Sequence, residues 1–464
     1  MGGRRAPPSH GGGGLSIPEG RGKTRSAQLL RPRALVVYAA DEWPLRTAIA
    51  DHLFAWQRHG PFEAIYFNAK RRRLSPRHVG GRFDLVVFHT TLLSQRWNPV
   101  AFEGIRRNLQ PLKRLSAPRL AIPQDEFLHA NALCDFLAEF EVGHVLSCAR
   151  DSEWPKIYGR LAPMPRIATV LTGYLEPRTL ARIERLRARS PVPRPIDIGY
   201  RAWRAQPWLG RHGVLKTAIG EAVLDSPASR RLRVDISLDE RGTLVGDAWW
   251  RFLLACRYVV GVEGGASLLD TDGSVKSRTD EYLAHHPDAT FDEVEAACFP
   301  GRDGELDLFA MSPRHLEACA TRTGQLLVEG RYNGVLRPGE HFVPIRADLS
   351  NLEAVLDHIG DPAGLDDMTR RAYEDVIGSG RYTYAAFIGQ ALDLLGDAVD
   401  GHRLRPARRR SMTLLDGLAA MSDVPSRCVL VIRGGALRRL DAVNLLGPAR
   451  RAWRRLGRML DTRQ

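Results

Sequence analysis

The 464-residue sequence is short of cysteine, of long apolar runs and of clustered metal ligands, and each shortage excludes a class of protein. Its six cysteines (Cys134, Cys148, Cys256, Cys298, Cys319 and Cys428) are scattered, with no C-x-x-C and no pairing rhythm. Several lie in apolar runs, as buried free thiols do. That excludes a disulfide scaffold and predicts a reducing compartment, the cytoplasm. No run approaches about 18 uninterrupted apolar residues, so no spanning helix is expected. The opening M-G-G-R-R-A-P-P-S-H-G-G-G-G lacks the apolar core of a secretion signal. A G-x-S-x-G elbow is also missing, which disfavours a Ser-His-Asp hydrolase. Asp270-Thr271-Asp272-Gly273 offers a D-x-D pair, and Glu281 stands twelfth from Asp270. A calcium loop needs glycine at its sixth position, however, and Val275 is there. A surface turn is the better reading, and no metal or other cofactor is expected.

Positive charge is plentiful but unevenly placed. The chain carries a formal +14, of which residues 1–33 supply +6 and residues 401–464 supply +11, leaving the body between them at −3. The basic balance therefore describes the ends, which seek anionic surfaces, and does not make the body a nucleic-acid binder. Residues 1–33, rich in Gly, Pro and Arg, read as disordered. Within the tail, Ala449 to Leu460 alternates basic pairs with Trp453, Leu456, Met459 and Leu460 at three/four spacing. That pattern predicts a short basic amphipathic helix on an anionic membrane surface, hence a peripheral position at the inner membrane face. A solvated arginine extension is the alternative, and a specific nucleic-acid partner is not expected.

The body alternates short apolar runs with helical patterns, which predicts an α/β fold with parallel sheets. Strands are expected at Ala34–Ala39, Ala64–Phe67, Leu85–His89, Arg119–Pro123 and His144–Ser147, with helices at 44–58, 99–113 and 129–140. The Pro/Arg-rich piece Ala188 to Pro195 reads as a linker. The pattern restarts at Ile196, with strands at Arg233–Ile236, Tyr258–Val262, Gln325–Val328 and His341–Pro344. Helices are expected there at 214–225, 246–256, 315–323, 350–358 and 366–378. The resulting organisation is a first Rossmann-like domain over 34–187 and a second over 188–381. A last helix over 382–400 and a basic extension from 401 follow. Residues 270–308 form an insertion holding an acidic helix, Phe291 to Cys298.

Chemistry concentrates in Ser312 to Gly330, a loop, a helix start and a buried strand. Ser312 can cap the helix, Pro313 suits its first turn, and Gly324 is expected to end it. Arg314 and Glu317 then stand at a helix mouth. Backbone N–H groups there favour phosphate, and a carboxylate can hold sugar hydroxyls, so the pattern suits a sugar nucleotide. A merely helix-stabilising role for Glu317 is the alternative. The segment resembles the end of the donor-binding domain in glycosyltransferases built from two Rossmann-like domains facing across a cleft (the GT-B fold), especially bacterial group-1 and spore-protein-like families. In those, a glutamate opening the helix binds the nucleotide ribose. A small-residue turn and strand, a proline-glycine loop and an N-L-x-x-V-L helix follow, here Gly324, Leu326 to Val328, Pro338-Gly339 and Asn351 to Leu356. The resemblance spans roughly residues 34 to 400. It implies a nucleotide-diphosphate sugar as donor, an unspecified glycan, protein or lipid acceptor, and hexosyltransferase-like activity without a metal. The family's pair of glutamates is incomplete, because Phe309 stands eight residues before Glu317. Retaining stereochemistry is therefore not implied.

Three further constellations are candidates. Gly210-Arg211-His212-Gly213-Val214-Leu215-Lys216 brackets cations with glycines before a helix, and Arg211, Lys216 or Arg201 are candidates for the donor diphosphate. Glu263-Gly264-Gly265-Ala266-Ser267 follows an apolar strand, where paired glycines admit close approach and Glu263 and Ser267 offer polar groups. In the first domain, Asp41, His89 and Asp125 lie at expected strand ends. His89 and Asp125 are the candidate bases for an acceptor hydroxyl, with helix capping the alternative for the aspartates. The rival to an enzyme is a non-catalytic nucleotide- or glycan-binding protein on the same scaffold, since scaffold alone does not make chemistry.

Overall fold

A computed structural model describes residues 32–400, apart from 42–44, 80–82, 191–192 and 360–361. The basic ends, with the expected 449–460 amphipathic helix, lie outside the described residues. The most apolar runs become the central parallel strands, buried on both faces. β1 (Arg33–Tyr38), β2 (Glu63–Asn68), β3 (Leu85–Phe88), β4 (Arg119–Ala121), β5 (His144–Ser147) and β6 (Arg166–Thr169) form one sheet. Its order is β2-β1-β3-β4-β5-β6, and every pairing in it is parallel. β7 (Ile196–Arg201), β8 (Val234–Ser237) and β9 (Cys256–Gly261) begin a second. After the small antiparallel pair β10 (Gly264–Ala266) and β11 (Leu308–Ala310), the second sheet resumes with β12 (Gly324–Val328) and β13 (Val343–Ile345). Its order is β13-β12-β9-β7-β8, again parallel. The protein is thus α/β, with two Rossmann-like sheets.

Several elements depart from expectation for local reasons. β6 was not expected; it is an edge strand with exposed Arg166 and Thr169, so its sequence lacks an apolar run. The helix at the carboxylate motif is Pro313–Ala320, and it ends four residues before Gly324. Arg322 takes the left-handed conformation (φ 51°) that turns the chain into β12. Gly324 instead opens that strand, where a Cβ would lie 2.5 Å from Tyr258. Ser312 occupies the cap position, but its hydroxyl makes no capping bond, and Pro313 pre-sets the first turn.

The two sheets are joined by more than the linker. One apolar core runs from Phe88, Leu92 and Phe136 of the first sheet's layer into Val275, Val294, Phe299 and Leu308 of the insertion. A second joins Val36 and Trp56 to Leu316, Leu327 and Phe342. Helix Tyr384–Leu395 returns to pack on helix Thr47–His59 through Phe387 and Trp56. Hydrogen bonds stitch the same seam: Asp270 N–H to the Phe127 carbonyl (2.7 Å) and Thr172 Oγ1 to the Met311 carbonyl (2.7 Å). At Gly173 the chains approach so closely that a Cβ would stand 2.7 Å from Pro313 Cγ.

Candidate active site

Beside that seam lies a cavity of about 500 Å³, the size of a small-ligand pocket. The first sheet contributes residues from the C-terminal ends of β1 and β6, including Arg46, Thr47 and Tyr174. The second contributes Arg201 and Trp203 after β7, Lys216, the 242–246 loop, and Ser312, Arg314 and Glu317 at the mouth of the Pro313–Ala320 helix. Ligands of open α/β sheets collect at this edge, outside the carboxyl ends of the strands.

Glu317 is half-buried, and its Oε2 accepts from Trp249 Nε1 at 2.8 Å. Burial raises its pKa above the ordinary carboxylate range, against the Trp249 bond and the positive Arg314. Arg314 donates from Nη1 to the Arg201 carbonyl (2.9 Å) and lies over the Tyr200 ring. Lys216 is half-buried too; desolvation, then the neighbouring Arg314, pulls its ammonium down to about 8, with Asp125 opposing. Arg46 lies over Trp203, 5.6 Å from the ring centroid, across the cavity mouth. Arg46, Lys216 and Arg314 have no carboxylate within ion-pair distance among the described residues, although all three line one cavity. The acids on the first-domain wall are already engaged. Asp51 accepts from Arg58 (3.0 Å), Arg178 and Thr179, and Glu176 from Arg58 and His59. The cavity therefore combines cations outside any ion pair among the described residues with the Glu317 carboxylate, a match for an anion carrying hydroxyl groups.

The candidates expected from the sequence divide sharply. Glu317, Arg314, Lys216 and Arg201 come together at the cavity. Arg201 does so with its guanidinium already spent on the carbonyls of Tyr200 and Asp235 and on the Asp235 carboxylate (2.8 Å), so it braces the wall. Arg211 points elsewhere, pairing with Asp292 (2.8 Å) and Glu295 (3.1 Å) and covering the Phe291 ring. The helix starts at Gly210, so Arg211 and Lys216 are five residues apart on it and project about 140° from each other. Gly210 itself has φ 78°, and a Cβ there would strike Ser267.

The 263–267 segment lies away from the cavity. Glu263 is buried, its carboxylate accepting from the backbone N–H groups of Arg331 (3.1 Å) and Tyr332 (2.7 Å). Gly264 and Gly265 are paired in β10 against Ala310 and Phe309. Ser267 Oγ donates to Asp303 (2.7 Å). These residues fasten backbone to backbone, and glycine serves the close approach of Leu308 to Gly265. His89 is fully buried and faces His52, Nε2 to Nδ1 2.8 Å, while its Nδ1 accepts from the Thr91 N–H. Desolvation holds both rings neutral, His52 at about 4, so His89 is a buried helix cap rather than a cleft base. Asp125 does not line the cavity. Its backbone is left-handed (φ 55°), its carbonyl accepts from buried Arg96 (2.5 Å), and its carboxyl is raised by burial against Arg96 and Lys216. Asp270 is buried, not a surface turn, and accepts from the N–H groups of Gly273 and Lys276 (both 2.8 Å).

Arg46, Trp203, Trp249 and the 242–246 loop escaped the sequence reading. Trp203 follows β7 by two residues, so an aromatic at a strand end was its available signal, whereas Trp249 lies in the first turn of helix Asp247–Ala255, twelve residues after β8.

No protein-family model and no curated protein matches this chain. Among solved structures, HepE from Anabaena in complex with UDP is similar over 78% of this chain and 99% of its own, at 11% identity and a TM-score of 0.40. Sucrose-phosphate synthase from Thermosynechococcus elongatus is similar over 79% of this chain and 99% of its own, at 11% identity and a TM-score of 0.40. A glycosyltransferase from Rickettsia africae gives 80%, 99%, 9% and 0.40 for the same quantities.

Proposed function

We propose that the protein is a glycosyltransferase that takes a sugar from a nucleotide-diphosphate donor bound in the cavity. The observation that carries this reading is the convergence, in one cavity, of Glu317 with Arg46, Lys216 and Arg314, none of which is ion-paired to a carboxylate among the described residues. Glu317, fixed by Trp249, accepts from the ribose hydroxyls. Lys216 and Arg314, the latter with both its side chain and its first-turn N–H, hold the diphosphate. As an acceptor hydroxyl oxygen bonds to the anomeric carbon, the bond from that carbon to the diphosphate breaks and negative charge grows on the leaving oxygens. Lys216 and Arg314, preorganised in a partly dry site, stabilise that charge. Asp125 does not line the cavity and only supports the Lys216 charge, so the hydroxyl proton passes to the departing diphosphate. No metal is required in this scheme, because protein cations answer the diphosphate.

Titration with a panel of nucleoside diphosphates and their sugars tests the proposal, followed by assay of nucleoside diphosphate release. A ligand at 100 times its dissociation constant stabilises the fold by about 2.7 kcal/mol. Absence of any thermal shift across the panel overturns the donor site. Binding without turnover on any acceptor favours the non-catalytic reading, to which Phe309, stacked on His212 at 3.5 Å, also lends itself.

A further inference from the structure

The loop after β2 carries Lys70-Arg71-Arg72-Arg73, and it does not hang free. Asn108 of helix Pro99–Leu109 donates to the carbonyls of Ala69 (3.0 Å) and Arg72 (2.8 Å) and accepts from Leu74 N–H (2.9 Å). Those three bonds hold the basic bend against the helix. The helix meets it with Ala101, Gly104 and Ile105, and a Cβ at Gly104 would touch nothing within 4 Å. The result is an open trough of about 440 Å³, floored by small residues and rimmed by four cations. Among the described residues, Lys70 Nζ pairs with Asp41 (2.5 Å), while Arg71 donates to the Asp41 carbonyl. Arg72 lies over Phe67, and Arg73 has no carboxylate partner among the described residues. At the start of the same helix Val100 is 85% exposed and Trp97 39% exposed.

We propose that this trough docks the phosphate headgroups of an anionic bilayer, with Val100 entering the interface beside them. The argument is charge complementarity together with apolar exposure. A membrane surface rewards both, whereas a nucleic acid has no use for Val100. The loop leaves the C-terminal edge of the first sheet, and Asp41 ties it to the β1 loop that leads to Arg46. The proposal stands independently of the donor reading.

The test uses the full-length protein with phosphatidylcholine vesicles, with and without phosphatidylglycerol. Co-sedimentation with the anionic vesicles should fall by more than about tenfold in R71E/R73E, and R71K/R73K should retain it. V100D should weaken it at unchanged net cationic charge in the loop. Nucleoside diphosphate binding, unchanged in all three, controls for folding. Wild-type sedimentation by R71E/R73E overturns the proposal and leaves the C-terminal tail as the anchor. Loss of duplex DNA binding in parallel with loss of vesicle binding, with V100D unaffected, also overturns it in favour of a general polyanion site.

Discussion

Replacing Lys216 by methionine should move stability and affinity in opposite directions. The ammonium is held down to about 8 from its ordinary 10.5, first by burial and then by Arg314. Between those two values the unfolded chain binds more protons than the folded one, so stability rises with pH across that window. Below about 8 both states are protonated, and the folded protein carries the full cost of a charged, poorly solvated lysine. At 1.36 kcal/mol per unit, that cost is at most about 3 kcal/mol, and less after solvent screening of a half-buried group. K216M relieves it, so the ligand-free variant should melt higher than wild type at pH 7. The same change removes a charge-assisted bond to the diphosphate, worth roughly 1.5–3 kcal/mol, or about 10–150-fold in dissociation constant. Calorimetric titration with nucleoside diphosphate at pH 6.5 and pH 9 completes the test. Wild-type affinity should fall as pH rises through the lysine's range, and K216M should be flat. A variant that melts lower without ligand and binds as tightly as wild type refutes the reasoning at both steps.

The remaining expectations are simpler. E317A should keep a wild-type circular dichroism spectrum while losing about 1.5–3 kcal/mol of donor affinity, and unchanged affinity would take Glu317 out of the site. Turnover should persist in excess chelator; loss restored by manganese or magnesium would show that the cations of the cavity are not sufficient. E263Q should destabilise thermally without changing donor affinity, because its carboxylate serves only the N–H groups of Arg331 and Tyr332.

The sheets were legible because their strands are nearly continuous apolar runs, and β5 falls on His144–Ser147 as expected. The first-domain sheet's last strand was not, since R-I-A-T at an edge has no reason to be apolar throughout. In the site, Glu317 and Arg314 were readable because a helix mouth has its own punctuation in Ser312-Pro313. Lys216 was readable as a cation but its partner Arg211 was not separable from it until the start of the helix was fixed. Glu263 and Gly264-Gly265 show the reverse case. An acid beside paired glycines reads the same whether the backbone it serves belongs to a ligand or to the protein. Their partners, Arg331, Tyr332, Ala310 and Phe309, lie some 45–70 residues away in the chain, where local pattern carries no signal. His89 fails for a similar reason, because its partner His52, itself packed on Phe387 of the returning helix, stands 37 residues away in the chain.

The two apolar cores that run across both sheets have a kinetic consequence. Swinging the halves apart would expose the Phe88–Val294 and Trp56–Phe342 layers to water, so a wide opening is not a cheap route for a ligand. Entry falls instead to the parts of the rim that few contacts hold: the 242–246 loop, with Val245 59% exposed, and the Arg46–Trp203 contact. Loop rearrangements run in nanoseconds to microseconds, faster than the microsecond-to-millisecond hinge motions of domains. Donor capture should accordingly show a single fast association phase, and the scattering profile of the protein in solution should hardly change when the cavity fills.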